Sequence, residues 1–240
     1  MGITRPRISV VVPVYHESAR INDLLAHLAA LDGDGTIERI VVDGSPEMDT
    51  LAVIDDPGVI AVRSPKGRAR QMNVGAEAAS GDVLLFLHAD TKLPLDAFTS
   101  ILGALENPAV VGGAFHVRFE PERFVLKAFG FIDNWRCKLT RVPYGDQAIF
   151  VRRAYFERNG GFRHIPIMED VELMRRIKRL GDPIRIIDAK VTSSARRWER
   201  EGLFYCTARN CILVGLFWLG VSPHTLKRFY PDNPREENNM

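Results

Sequence analysis

The chain is expected to fold as an α/β protein around a mostly parallel sheet flanked by helices, and three observations predict it. Ile8 to Val12 is a run of branched aliphatics of the kind found in strands buried on both faces. Strand-like and helix-like segments then alternate through the front half. Acidic residues recur where those strands stop, at Glu17, Asp43 and Asp90.

The first strand is predicted over 8–14, with Pro13 removing the backbone donor that a central strand would need to continue. Ligands in open α/β sheets collect beyond the carboxyl ends of such strands. Here the strand runs into Tyr15, His16 and Glu17. A dinucleotide-binding domain would place G-x-G-x-x-G at this point, and it is absent. An aromatic followed by a carboxylate suits stacking on, or hydrogen bonding to, a nucleoside; a buried strand ending in a polar turn is the plainer alternative. Further strands are predicted at 38–42, 59–63 and 83–87, and helices at 20–31, 68–79 and from Pro94 to Glu106. This β-α-β-α order argues for parallel pairing with helices on both faces.

After Ala109 the pattern changes. A longer strand is expected over 109–119 and an aromatic-rich amphipathic helix over 124–141, with Trp135 read as a core aromatic. A loop carrying Tyr144, Gly145, Asp146 and Gln147 follows, then a strand at 148–151 and a helix at 153–159 closed by Gly160-Gly161. A helix over 170–180 places Val171, Met174 and Ile177 on one face, with Gly181 as its C-cap. A strand at 184–187 and a terminal helix near 201–219 complete the order, and a helical C-terminal extension is expected from 201 to 240. No linker divides the chain, so 1–240 is read as a single domain: 1–107 builds a nucleotide-type pocket and 108–200 closes it.

At 240 residues, 46% hydrophobic and 26% charged, the composition is that of a soluble globular protein with enough chain for a full core. A net charge of +2 gives no reason to expect nucleic acid as a partner. Cys137, Cys206 and Cys211 lack C-x-x-C spacing and cannot all pair, which favours a reducing, cytoplasmic location over a disulfide or zinc framework. Met1 to Arg7 is too short before the first strand to act as a signal peptide. The apolar run from Leu203 is interrupted by Arg209 and Asn210, so 203–221 is read as a core or interfacial helix rather than a span. Core burial is the preferred reading; peripheral contact with the inner face of a membrane is the alternative.

Parallel strands open on one edge, so Glu17, Asp43 and Asp90 are expected to converge on one crevice. Mg²⁺ commonly needs only one or two carboxylates when a substrate supplies phosphate oxygens. Between these strand ends lies Gly67-Arg68-Ala69-Arg70-Gln71-Met72-Asn73. Cations at a helix start are unfavourable unless an anion offsets them, so Arg68 and Arg70 suit phosphate groups. Glu169-Asp170 opens a helix, where a carboxylate either caps or acts as a base.

These residues together carry a resemblance. V-V-V-P-V-Y-H-E at 10–17, V-V-D-G-S at 41–45, G-R-A-R-Q-M-N-V-G at 67–75, S-G-D-V-L-L-F-L-H-A-D at 80–90 and M-E-D at 168–170 stand in the order seen in family-2 glycosyltransferases of the GT-A fold. The resemblance runs from Ile8 to at least Trp198. It implies an inverting glycosyltransferase that moves a sugar from a nucleotide-diphosphate sugar to an acceptor hydroxyl. It implies further that Pro13, Tyr15, Glu17 and Asp43 hold the nucleoside, and that Asp90 binds a metal, Mg²⁺ or Mn²⁺. Arg68, Arg70, Asn73 and His88 fall on the donor side. Asp170 is implied as the base with Glu169 beside it, and Asp146, Gln147, Arg197 and Trp198 fall on the acceptor side, whether the acceptor is a saccharide, a lipid or a small molecule. Two departures stand out. His88-Ala89-Asp90 replaces the usual D-x-D, and imidazole suits Mn²⁺ better than Mg²⁺. Ser194 stands where the family's Q-x-x-R-W motif has Gln, which weakens any analogy with processive synthases. A nucleotidyltransferase and a non-catalytic nucleotide-sugar-binding protein are the alternatives from other classes.

Overall fold

The computed structural model describes residues 8–33 and 35–230. The signal-peptide reading of Met1 to Arg7 and the last ten residues of the C-terminal extension lie outside the described residues.

The front half follows the expected alternation. β1 (Ile8–Val14), α1 (Ile21–Leu31), β2 (Ile37–Asp43), β3 (Val59–Arg63), α2 (Arg68–Ala78) and β4 (Val83–Phe86) lead to the two-residue β5 (Thr91–Lys92) and to α3 (Ala97–Ala104). Pro94 does not enter α3. Its carbonyl accepts from Ala97 N, and Asp96 precedes the helix, accepting from Ser100 Oγ at 3.0 Å. The back half adds β6 (Gly112–Glu120), α4 (Phe124–Thr140), β7 (Phe150–Arg152), α5 (Arg153–Arg158), α6 (Glu169–Leu180) and β8 (Ile184–Ser194). It closes with α7 (Arg196–Glu201), α8 (Leu203–Trp218) and α9 (Pro223–Lys227).

One eight-stranded sheet, in the order β3-β2-β1-β4-β7-β6-β8-β5, runs through both halves. Its first four strands are parallel; β7 lies antiparallel to β4 and to β6, while β6 and β8 are parallel. β1 shows why the sheet has a core on each face. Val10, Val12 and Val14 pack with Ile21, Leu24 and Leu28 of α1, whereas Val11 faces Met72 and Ala76 of α2. Strand periodicity of two alone divides these residues, and each buried aliphatic contributes about 1.5–3 kcal/mol. α2 lies close because Gly75 carries no side chain: a Cβ there would stand 2.3 Å from Val11 Cγ1. Pro13 is tolerated because β4 pairs only with Ile8 to Val11, so beyond that point β1 has β2 alone as a neighbour.

Four expectations need correction. The strand expected at 184–187 continues to Ser194, because β6 supplies a partner along its whole length. Its pairing with β6 shifts register between Phe115 and His116, a β-bulge. The terminal helix is broken at Gly202, whose φ of 88° suits glycine and not a continuing helix. Trp135 is not a core aromatic. It is 63% exposed, and Phe131, Ile132 and Leu139 of α4 are exposed with it. α4 is instead held to β6 by Asn134, whose side chain bonds both the N–H and the carbonyl of Val117. Core burial of 203–221 is likewise incomplete: α8 buries Cys206, Arg209 and Leu213, while Phe204, Tyr205, Ile212 and Trp218 are exposed. Among the described residues no helix is long and apolar enough to cross a membrane.

Candidate active site

A cleft of about 790 Å³ opens at the carboxyl ends of β1 and β4. That volume lies within the range of pockets that enclose small-molecule ligands. β1 delivers Pro13, Tyr15 and Glu17 to it, the start of α2 delivers Arg68 and Arg70, and the turn after β4 delivers His88 and Asp90. Opposite them stand Asp146, Glu169 and Asp170, with Arg197 and Trp198 closing one side. Twelve of the residues singled out from sequence therefore share one cavity.

Three do not line it. Asp43 is fully buried; its carboxylate accepts from Ser45 N at 2.8 Å and from Leu51 N at 3.4 Å, tying down the turn after β2. Asn73 bonds both the N–H and the carbonyl of Phe162. Gln147 is buried, accepting from Tyr144 N and donating to Phe115 O. Short polar side chains that satisfy nearby backbone look the same in sequence as ligand-binding ones.

On the donor wall the carboxylates are charge-compensated. Arg196 Nη2 lies 3.1 Å from Asp90 Oδ2 and 3.3 Å from Glu17 Oε1, and Arg20 also reaches Glu17 at 3.2 Å. Arg196 was not foreseen; the only signal was the doubling of arginine before Trp198. The backbone of β8 puts it there, because Ser194 N donates to Asp90 O and Ala195 N to Glu120 O. Tyr15 presents its ring to the ammonium of Lys66, 4.7 Å from the ring centroid. Among the described residues no cluster of three or more His, Cys, Asp or Glu side chains is arranged to hold a metal. Glu17 and Asp90 nonetheless converge on one cationic nitrogen, so two carboxylates fit a divalent cation whose remaining ligands come from phosphate. His88 turns elsewhere: a Cβ on Gly145 would stand 3.0 Å from His88 Nε2 and 3.1 Å from Asp170 Oδ2. Burial and the nearby Arg68 push the His88 imidazole down to about 3, so the ring is neutral.

The opposite wall is governed by burial. Asp170 Oδ2 accepts from Gly145 N at 2.5 Å and Oδ1 from Val171 N at 2.7 Å, which fixes the carboxylate toward the cleft. Glu169 is 4% exposed and pairs with Arg68 Nε at 3.4 Å. Burial, offset in part by Arg68 and reinforced by Asp170, pushes its carboxyl up to about 7. Asp146 is pushed up to about 7 as well, by burial and then by the charges of Asp133 and Asp170. Its Oδ1 is buried with no hydrogen-bond partner in the protein, as is Trp198 Nε1. Buried polar atoms are seldom left so, and both line the cleft. Met168, just before α6, has φ of 68°, a left-handed conformation that a non-glycine residue rarely holds and that sets the pair after it.

The comparisons with known proteins point one way. The family model for Glycosyl transferase family 2 matches residues 9–162. The chain is 26% identical over 222 residues to the probable glycosyltransferase YdaM of Bacillus subtilis (strain 168), covering 82% of this chain and 51% of that protein. It is 29% identical over 118 residues to an N-acetylglucosaminyltransferase of Bradyrhizobium elkanii, covering 45% of this chain and 65% of that one. The chain thus spans only about half to two thirds of the length of these relatives. Among solved structures, the mannosyltransferase PcManGT from Pyrobaculum calidifontis, in complex with GDP-Man and Mn²⁺, superposes with a TM-score of 0.62 at 23% identity, covering 80% of this chain and 57% of that one. S. aureus TarS 1-349, in complex with UDP, gives 0.60 at 18% identity, covering 78% and 60%. The GT-A architecture is shared with both.

Proposed function

Because the chain belongs to glycosyl transferase family 2 and is a glycosyltransferase, we propose that its cleft binds a nucleoside-diphosphate sugar and passes the sugar, with inversion, to an acceptor hydroxyl. The observation that carries this reading is the meeting, in one 790 Å³ cleft, of an arginine-bearing helix start, a convergent carboxylate pair and an acidic cluster built around the buried Glu169. Pro13 and Tyr15 at the end of β1 bind the nucleoside, and Arg68 and Arg70 hold the diphosphate. GDP-Man and UDP in the two structural neighbours support a nucleotide donor. Glu17 and Asp90 would hold Mg²⁺ or Mn²⁺, which when bound neutralises charge on the departing diphosphate; the Mn²⁺ of PcManGT supports this choice.

Asp170 is the base. It takes the proton of the acceptor hydroxyl as that oxygen bonds to the anomeric carbon, while the bond from that carbon to the diphosphate oxygen breaks and its electron pair leaves with the phosphate. The two backbone N–H groups on Asp170 fix its direction. Glu169 gives a second reading, because its elevated pKa matches a base working near neutrality. Its burial and its pairing with Arg68 favour an orienting role instead. Asp146, Arg197 and Trp198 face the acceptor. The exposed apolar side chains of α8 would lie against the inner face of a membrane, with the protein in the cytoplasm.

A thermal-shift panel of UDP-, GDP- and dTDP-sugars, with and without Mn²⁺, tests the donor assignment. Ligands that bind only the folded state raise its melting temperature by mass action. One nucleotide should stand out, and more strongly with Mn²⁺; a flat panel would remove the nucleotide-sugar reading.

A further inference from the structure

Arg196 occupies the position that a cation would take. One of its nitrogens, Nη2, touches a carboxylate oxygen of Asp90 and one of Glu17, residues that lie 106 and 179 positions away in sequence. Without a positive charge between them those carboxylates would repel each other. The backbone that carries Arg196 is fixed, because Ser194 N and Ala195 N are bonded to Asp90 O and Glu120 O and Ala195 is fully buried. The side chain is not fixed in the same way: it is 35% exposed to solvent. An exposed side chain can change rotamer without moving the sheet.

We propose that Arg196 is the internal counter-cation of the donor site, held by Glu17 and Asp90 until a divalent cation binds by exchanging with it. This rests on the reading that those two carboxylates receive the cation. The guanidinium and a metal ion cannot share one position between the same two oxygens, so binding of one opposes binding of the other. The displaced guanidinium would enter a cleft that already holds four other arginines, Arg68, Arg70, Arg197 and Arg200. An incoming diphosphate supplies the missing negative charge. Cation and nucleoside diphosphate should therefore bind together far better than either does alone, a positive coupling built into the chain.

Manganese binding without nucleotide tests the exchange, read by the loss of the free-Mn²⁺ electron paramagnetic resonance signal and by calorimetry. Arg196→Gln should bind Mn²⁺ on the order of tenfold more tightly than the wild type, since one opposing charge is gone. Arg196→Lys should stay near the wild type. Adding Asp90→Asn to Arg196→Gln should abolish the gain. In the wild type, UDP or GDP should strengthen Mn²⁺ binding, and in Arg196→Gln that enhancement should shrink. Arg196→Met is the second neutral variant if Arg196→Gln does not fold, as judged by circular dichroism. Unchanged or weaker Mn²⁺ binding in the folded neutral variant, with the wild type still binding Mn²⁺ in the presence of UDP or GDP, would overturn the exchange and leave the metal site standing. A wild type that takes up no Mn²⁺ even with UDP and GDP would overturn the metal site, and the exchange with it.

Discussion

The two walls of the cleft use the same residue types under opposite physical rules. On the donor wall, Glu17 and Asp90 are partly open to water and are balanced by Arg196, with Arg20 behind Glu17. On the facing wall Glu169 is buried and Asp146 is half-buried with its Oδ1 shut off from water, and desolvation raises both to about 7. Carboxylates matched to one cation can exchange it for another. Carboxyls starved of water hold protons near neutral pH. The comparison suggests a division of labour: one wall manages the charge of the leaving group, the other manages the acceptor's proton.

The largest effect on the donor wall should come from Asp90→Asn. Losing a charge-assisted contact costs about 1.5–3 kcal/mol, so nucleoside-diphosphate affinity with Mn²⁺ should fall roughly 10- to 150-fold. Calorimetry with and without EDTA checks it. If EDTA leaves donor binding and transfer untouched, Arg68 and Arg70 carry the diphosphate charge unaided and the contrast between the walls collapses.

Asp43→Ala should act on stability more than on affinity, because its buried carboxylate satisfies Ser45 N, also buried, and the half-buried Leu51 N. Two stranded donors cost on the order of 1–3 kcal/mol, readable by urea denaturation. A variant of normal stability with weakened nucleotide binding would return Asp43 to the donor wall.

The buried wall should show itself in the pH dependence of stability. Glu169 is raised from 4.5 to about 7, so the folded state holds a proton that the unfolded chain releases at lower pH. Its contribution is fully present below about pH 4.5 and is lost as pH rises to about 7, amounting to on the order of 1–3 kcal/mol. Melting temperatures of the wild type and Glu169→Gln should therefore diverge between pH 5 and about 7, the wild type falling more steeply. Parallel curves would show that Glu169 is not desolvated.

The smallest effect belongs outside the cleft. Trp135→Ser should change stability by less than about 0.5 kcal/mol, since the ring is mostly exposed. If the exposed faces of α4 and α8 meet a membrane, the same variant should co-sediment less with anionic liposomes. No sedimentation of the wild type at low salt would exclude that surface.

Most of the front half was legible because its signals are local. Hydrophobic runs placed β1 to β4 within a residue of their bounds, and the Gly67 entry to α2 was visible. The site was legible as far as strand ends and helix starts announce themselves: Tyr15, Glu17, Arg68, Asp90 and Asp170 share the cleft. What sequence concealed was set by partners distant along the chain. β8 runs into the polar Thr192-Ser193-Ser194 and becomes a long strand because β6 lies beside it. That extension carries Arg196 to Asp90, a contact no local pattern contains. Asn73 and Gln147 read as ligand-binding and turn out to hold backbone, since a side-chain amide serves either purpose. Trp135 read as core because Phe124, Phe131 and Trp135 recur at helical spacing on one face of α4, the pattern of an inner face, yet all three are exposed.

Asp170→Asn probes the division between the walls most directly, with donor affinity and transfer rate measured on the same preparation at saturating donor. The substitution keeps the shape of the side chain and an acceptor for Gly145 N, but cannot take up the acceptor's proton. Donor affinity should stay within about twofold of the wild type, while transfer falls about 10²- to 10⁴-fold. Near-normal transfer, or a loss of donor affinity as large as the loss of rate, would contradict the assignment of proton and leaving group to opposite walls.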